Sequence, residues 1–185
     1  EFTLEEITVT AQKRAENSQK VPIALSTITG DELASMGGTT LKDSLNTLSS
    51  VVIMQVNEGL NVSIRGMDND GMPGDSAGMI AVNLDGVFNN NFATGYSGLY
   101  DVSRVEVLSG PQGTLYSRNS GGGVVNMITN DPKTEEFDAS GSLEMGNYNT
   151  LNTQGAINMP MSEKAALRLA FATTDRDGYI DNGSD

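Results

Sequence analysis

The sequence predicts an α+β domain, a small mixed β-sheet with short helices, followed by longer antiparallel strands. Three observations carry this expectation. First, 21 glycines and 5 prolines punctuate many short apolar runs, the punctuation of a chain that turns often between short strands. Second, Thr29-Gly30-Asp31-Glu32 has the form of a helix capping box, and Leu41, Leu45 and Leu48 fall at i, i+4 and i+7 on one helical face. Third, from Ala139 onward apolar and polar residues alternate over stretches of about ten residues, the two-residue period of a strand with unlike faces.

Taken in order, Glu5 to Ala11 places the strand-forming Ile7, Thr8, Val9 and Thr10 between acidic residues and the polar run Gln12 to Lys20. Such a segment has little to pack against locally. It reads either as an ordinary first strand or as a strand that lends unpaired backbone groups to another protein's sheet edge. Val21 to Leu25 is an expected strand leading to the capping box, and a second helix is expected to begin near Thr39 or Thr40, docking its leucines onto a sheet. Val51 to Met54 and Val62 to Gly66 bracket the turn-prone Asn57-Glu58-Gly59. Val82 to Phe88 contains Asp85-Gly86, the strongest short hairpin signal. Met67 to Gly78 and Asn89 to Tyr96 are polar loops.

Asp101 to Pro132 holds two strands joined by a glycine-rich connection. In the first, Val105 and Val107 alternate with Arg104, Glu106 and Leu108, a pattern expected to bury one face more than the other. Gly110, Pro111 and Gly113, then Gly121 to Gly123, allow tight turns that hold Arg118 in a fixed place before Val124 to Ile128.

Composition excludes several functions. With no cysteine and no histidine, a disulfide framework, a thiol nucleophile, and the commonest general base and metal ligand are all missing. No paired-carboxylate motif stands out, so an enzyme is the weakest hypothesis. A formal charge of -13 repels phosphate backbones and disfavours nucleic acid. No apolar run reaches the roughly 20 residues of a membrane-spanning helix, so any membrane contact falls to strands. The start at Glu1 lacks a basic and apolar leader, which means that a signal peptide either has been removed or never existed.

Val105-Glu106-Val107-Leu108-Ser109-Gly110-Pro111, the Tyr116-Ser117-Arg118-Asn119 turn, Gly122-Gly123-Val124-Val125-Asn126, Ile64-Arg65-Gly66 and Leu84-Asp85-Gly86 together resemble the plug signature of TonB-dependent outer-membrane receptors. The likeness runs over roughly residues 5 to 132. It implies a plug domain followed by the first antiparallel strands of a transmembrane β-barrel that is incomplete in this chain. It divides the sequence into a TonB-box segment and linker (1–20), the plug (21–133) and three barrel strands (134–185). Ile7, Thr8, Val9, Thr10 and Ala11 then resemble the TonB box. The implied partners are TonB with its inner-membrane energising complex, a small-molecule ligand and outer-membrane lipid. The implied location is the bacterial outer membrane, with the plug inside the barrel and the amino terminus in the periplasm. The implied activity is uptake of a scarce ligand of iron-siderophore, sugar or cobalamin type, with no cofactor and no covalent chemistry. Ser109 departs from the pattern, since family members commonly carry arginine before Gly-Pro. Arg65, Arg104 and Arg118 remain as a charge network, with Glu106 as partner.

Ala139 to Tyr148, Leu151 to Met159 and Ala165 to Thr173 suit barrel strands, and equally an exposed antiparallel sheet. Asn147 to Thr150 and Pro160 to Lys164 are expected turns, and Asp175 to Asp181 opens a polar loop. Three strands cannot close a barrel. The chain is thus expected to be the start of a longer receptor or a form that does not insert, and a soluble or self-associating β-rich binding module is the alternative. Asp70, Met72, Phe88, Asn89, Asn90, Phe92 and Tyr96 are the candidate ligand-facing residues, offering aromatic faces and amides. Asp68, Asp70, Asp75 and Asp85 lack the spacing of a calcium loop, and no metal site is assigned.

Overall fold

The computed structural model describes residues 8–9, 16–17, 21–36, 41–56, 59–68, 79–89, 100–116 and 119–178. The chain divides into two compact units, Glu1–Thr129 and Asn130–Asp185.

In the first unit, the short strands β1 (Thr8–Val9) and β2 (Glu16–Asn17) pair antiparallel. Strand β3 (Ala24–Thr29) runs directly into helix α1 (Gly30–Ser35). The capping box forms as the spacing predicts. Glu32 N donates to the Thr29 hydroxyl at 3.3 Å, and Thr29 N donates to the Glu32 carboxylate at 2.8 Å, which satisfies two N–H groups that a helix start leaves open. Helix α2 (Leu41–Leu45) follows; Leu41 and Leu45 are buried, and Leu48, just beyond the helix, packs on the same core.

Strands β4 (Val51–Val56) and β5 (Gly59–Ile64) form a hairpin of their own. Strand β6 (Ile80–Leu84) turns through Asp85 and Gly86, at φ 48° and 79°, into β7 (Val87–Phe88). Two consecutive left-handed residues give the tight hairpin that Asp-Gly favours. Strand β8 (Val102–Ser109), the short helix α3 (Gly113–Tyr116) and β9 (Gly123–Thr129) complete the unit. The main sheet has the order β3-β8-β9-β6-β7, with β6 and β9 parallel and the other neighbours antiparallel.

Each face of this sheet has its own core. On one face Ile28, Ile80, Val105, Val107, Val125 and Met127 meet Leu33, Leu41 and Leu45 of the helices and Val51, Ile53, Val62 and Ile64 of the hairpin. On the other, Ala81, Leu108 and Val124 meet Val9, Val21 and Tyr116. The expectation that β8 buries one face more than the other is therefore corrected: Val105, Glu106, Val107 and Leu108 are all buried. Alternation reports a contrast between faces, and here α3 and β1 cover the face that carries the polar residues.

Several elements also differ from expectation, with β5 starting at Gly59 and β6 at Ile80 where Val62 and Val82 were expected. The strand expected at Val21 begins at Ala24, because Ala24 pairs with Ser109, the last residue of β8, and Pro22 has no N–H to extend the ladder. Helix α3 lies within the glycine-rich connection, where only turns were expected. Gly110, at φ 98°, lets the chain leave β8, and Gln112 O then accepts from Leu115 N and Tyr116 N to form a single helical turn. Gly123 is required by close approach, since a Cβ there would lie 2.6 Å from Leu108 O.

The second unit is an antiparallel meander of β10 (Asp138–Gly146), β11 (Thr150–Ser162) and β12 (Ala165–Asp175). Its register sets Ala139, Ile157 and Leu169 in one row, and Gly141, Gly155 and Phe171 in the next. Leu143, Met145, Ile157, Leu167, Leu169 and Phe171 share one face and are exposed. Tyr148 and Asn149, at φ 60° and 51°, make the first turn. The second turn is shorter than the expected Pro160 to Lys164. Strand β11 continues to Ser162, with a register irregularity between Pro160 and Ser162 that accommodates the missing proline N–H.

Candidate coupling site and buried polar row

The second face of the main sheet carries a row of polar residues from strand to strand. Thr27, Glu106, Asn126, Asn83 and Phe88 are successive in-register partners across β3, β8, β9, β6 and β7. Glu106 is fully buried. Arg104, two residues away and so on the same side of β8, donates from Nε to the Glu106 carboxylate at 2.8 Å. Next along the row, Asn83 Nδ2 donates to Asn126 Oδ1 at 3.0 Å, and Asn126 Nδ2 donates to the Tyr116 hydroxyl at 2.9 Å. Burial pushes the Tyr116 phenol above its ordinary value; the bond from Asn126 opposes this, and the Glu106 charge adds to it. A buried polar group left unpaired costs about 1 to 3 kcal/mol, so this linked arrangement permits only one seating of α3 on the sheet.

Beside the row is an apolar patch, and Val9 sits on it. Val9 has no exposed surface and packs among Val21, Ala81, Leu108, Tyr116 and Val124, while Thr8 and Val9 pair with Asn17 and Glu16. The expectation of little local packing is corrected for Thr8 and Val9, whose strand is paired with β2 along one edge. Its physical reason was sound for a lone strand, but a partner strand lies only seven residues downstream of Val9 and an apolar surface is provided by residues distant in sequence. Ile7, Thr10 and Ala11 lie outside the described residues.

Of the proposed charge network, the fold brings together Arg104 and Glu106. Arg65 is exposed at a turn, at φ 53°, and makes no ion pair with a described residue; Arg118 lies outside the described residues. Ser109 ends β8, opposite Ala24 and Gly123. Among the ligand-facing candidates, Phe88 is partly exposed at the end of β7, and Asn89 N donates to Val82 O. Asp70, Met72, Asn90, Phe92 and Tyr96 lie outside the described residues. Both Asp85 carboxylate oxygens accept from Thr129, one from its N and one from its hydroxyl, at 2.9 Å each, which ties the hairpin turn to β9. Tyr116, Asn126 and Asn83 were missed as a group. Their signal was a polar side chain within an apolar run, as in Val82-Asn83-Leu84 and Val125-Asn126-Met127.

A mixed sheet with short helices and a hairpin on one face, and an amino-terminal strand on the other, defines a plug-type fold. Residues 17–124 match the model of the TonB-dependent Receptor Plug Domain, and the chain belongs to that family. It is 28% identical over 191 residues to the iron-regulated outer membrane virulence protein of Vibrio cholerae, covering 95% of this chain and 28% of that one. It is 34% identical over 82 residues to the metal-pseudopaline receptor CntO of Pseudomonas aeruginosa, covering 43% and 11%. Its fold is similar to that of the ferripyoverdine receptor of the outer membrane of Pseudomonas aeruginosa, with a TM-score of 0.76 at 20% identity over 94% of this chain and 23% of that one. The chain thus spans less than a third of the length of the proteins it matches.

Proposed function

We propose that this chain is the amino-terminal part of a receptor that takes up a scarce small molecule across the bacterial outer membrane, driven by TonB and its inner-membrane energising complex. Membership of the plug family is the observation that carries this reading. Among iron-siderophore, sugar and cobalamin ligands, the first is favoured by relatives named for iron regulation and metal-pseudopaline. Residues 1–20 serve as coupling segment and linker, 21–133 as plug, and 134–185 as the first barrel strands. In this reading the apolar face of the second unit meets lipid and the opposite face meets the lumen, with the amino terminus in the periplasm. Asp70, Met72, Phe88, Asn89, Asn90, Phe92 and Tyr96 belong to the ligand side. Arg104 and Glu106 brace the plug, with Arg65 and Arg118 as further members of the network.

In coupling, TonB pairs with Ile7 to Ala11 as an added strand, which draws Val9 out of its pocket and away from its partner strand β2. Full exposure of a valine side chain costs about 1.5 to 3 kcal/mol, which is small enough for ligand binding to tip. No covalent step is needed.

The test is growth of a deletion strain on scarce iron chelates, complemented by the full-length gene with or without Val9→Pro. Proline removes a backbone donor and disfavours strand pairing. Rescue is expected to fail with Val9→Pro while surface binding of ligand persists. Equal rescue by both versions would overturn coupling through this segment and favour a binding module acting without a barrel.

A further inference from the structure

Asn158 is the one fully buried polar residue in the second unit among the described residues, in a sheet whose side chains are mostly exposed. Its side-chain amide bonds to one short segment. Lys133 N donates to Asn158 Oδ1 at 2.8 Å, and Asn158 Nδ2 donates to Lys133 O at 2.9 Å and to Glu136 O at 2.7 Å. The amide thus treats Lys133 as an antiparallel strand partner would, accepting from its N–H and donating to its C=O. Aspartate at this position lacks the donor, and leucine lacks both functions.

The position of this grip matters. Thr129 ends the first unit and Asp138 starts β10, so residues 130–137, which belong to the second unit, tether its sheet to the first. Asn158 stands on β11, the central strand of the meander, in register with Asp138 on one side and Arg168 on the other. The tether is therefore fixed to the strand best held by its neighbours, five residues ahead of the point where the ladder itself begins.

We propose that Asn158 is an anchor that stops tension drawn along the chain from its amino-terminal side at Lys133, before it reaches strand β10. This rests on the proposed function in one respect, that such tension arises in uptake. A strand loaded from its end gives way one ladder bond at a time, whereas the two Asn158 bonds to Lys133 take the load together. A grip on β11, which is paired on both sides, keeps the load off the start of β10 while the first unit is pulled.

The experiment is single-molecule pulling on the amino terminus of the full-length receptor in lipid vesicles, comparing wild type with Asn158→Ala and Asn158→Asp. The alanine variant loses every side-chain bond to the tether; the aspartate variant sets a carboxylate against two carbonyl oxygens and serves if the alanine variant fails to assemble. In either, the extension reached before the barrel yields is expected to grow by up to about 18 Å, the reach of the five freed residues at 3.3–3.6 Å each. Hydrogen exchange at the Lys133 amide is expected to quicken at least tenfold with the β10 amides unchanged. Unchanged extension in both variants, or unchanged protection of Lys133, would overturn the anchor. A purely structural role would lower the stability of the sheet without moving the stopping point. Failure of the coupling reading is distinguishable, because it appears in the Val9→Pro complementation and leaves the pulled length untouched.

Discussion

Strand β8 in the first unit and β12 in the second show the same two-residue alternation and use it in opposite ways. In β8 the polar members, Arg104 and Glu106, are turned toward a covered face and paired with each other, and Glu106 has no exposure. In β12 it is the apolar members, Leu167, Leu169 and Phe171, that are exposed. Alternation therefore tells that a strand has two unlike faces, and it does not tell which face meets solvent, protein or lipid. The difference comes from what lies over each sheet: α3 and β1 in the first unit, and in the proposed reading the hydrocarbon of a membrane in the second.

The comparison breaks most sharply at Arg104. Arg104→Ala removes the guanidinium that pairs with the buried Glu106 carboxylate and is expected to destabilise the first unit by about 3 to 5 kcal/mol, measurable by urea titration. An effect below about 1 kcal/mol would mean that other contacts hold the Glu106 carboxylate in place of Arg104. On the other side, Leu169→Arg is expected to cost little in water but about 2 to 4 kcal/mol for a full-length receptor folding into vesicles. Equal effects in the two media would count against lipid on this face.

Val9→Ala removes two methyl groups from the pocket beside the polar row and is expected to loosen β1 by about 2 kcal/mol. The backbone amides of Thr8 and Val9 should then exchange faster in the absence of ligand, and an unchanged exchange rate would place the barrier to release elsewhere. The smallest effect is expected for Tyr116→Phe, about 1 kcal/mol from the lost hydrogen bond with Asn126. It also has a pH signature. The fold favours the neutral phenol, so this contribution is fully present below the ordinary value of 10.0 and is lost as pH rises from there through the raised folded value. Tyr116→Phe should flatten the stability profile above about pH 10 and leave its shape at neutral pH unchanged.

Local chemistry was legible from the residues alone. The Thr29 to Glu32 cap, the packing of Leu41, Leu45 and Leu48, the Asp85-Gly86 hairpin and the three alternating strands depend on residues within a few positions of one another, where spacing and propensity act directly. Part of the candidate site was legible as well, since Arg104 and Glu106 are two residues apart and share a side of their strand. The rest required contacts between distant parts of the chain. The start of β3 is set by where β8 ends, the burial of Glu106 by what covers its face, and the seating of Val9 by Ala81, Leu108, Tyr116 and Val124, which no local pattern brings together. The sequence by itself determined which elements form and which of their faces are apolar, because those are properties of neighbouring residues; only the tertiary structure decided what each face meets, because burial and hydrogen bonding are properties of surfaces that the chain assembles from far apart.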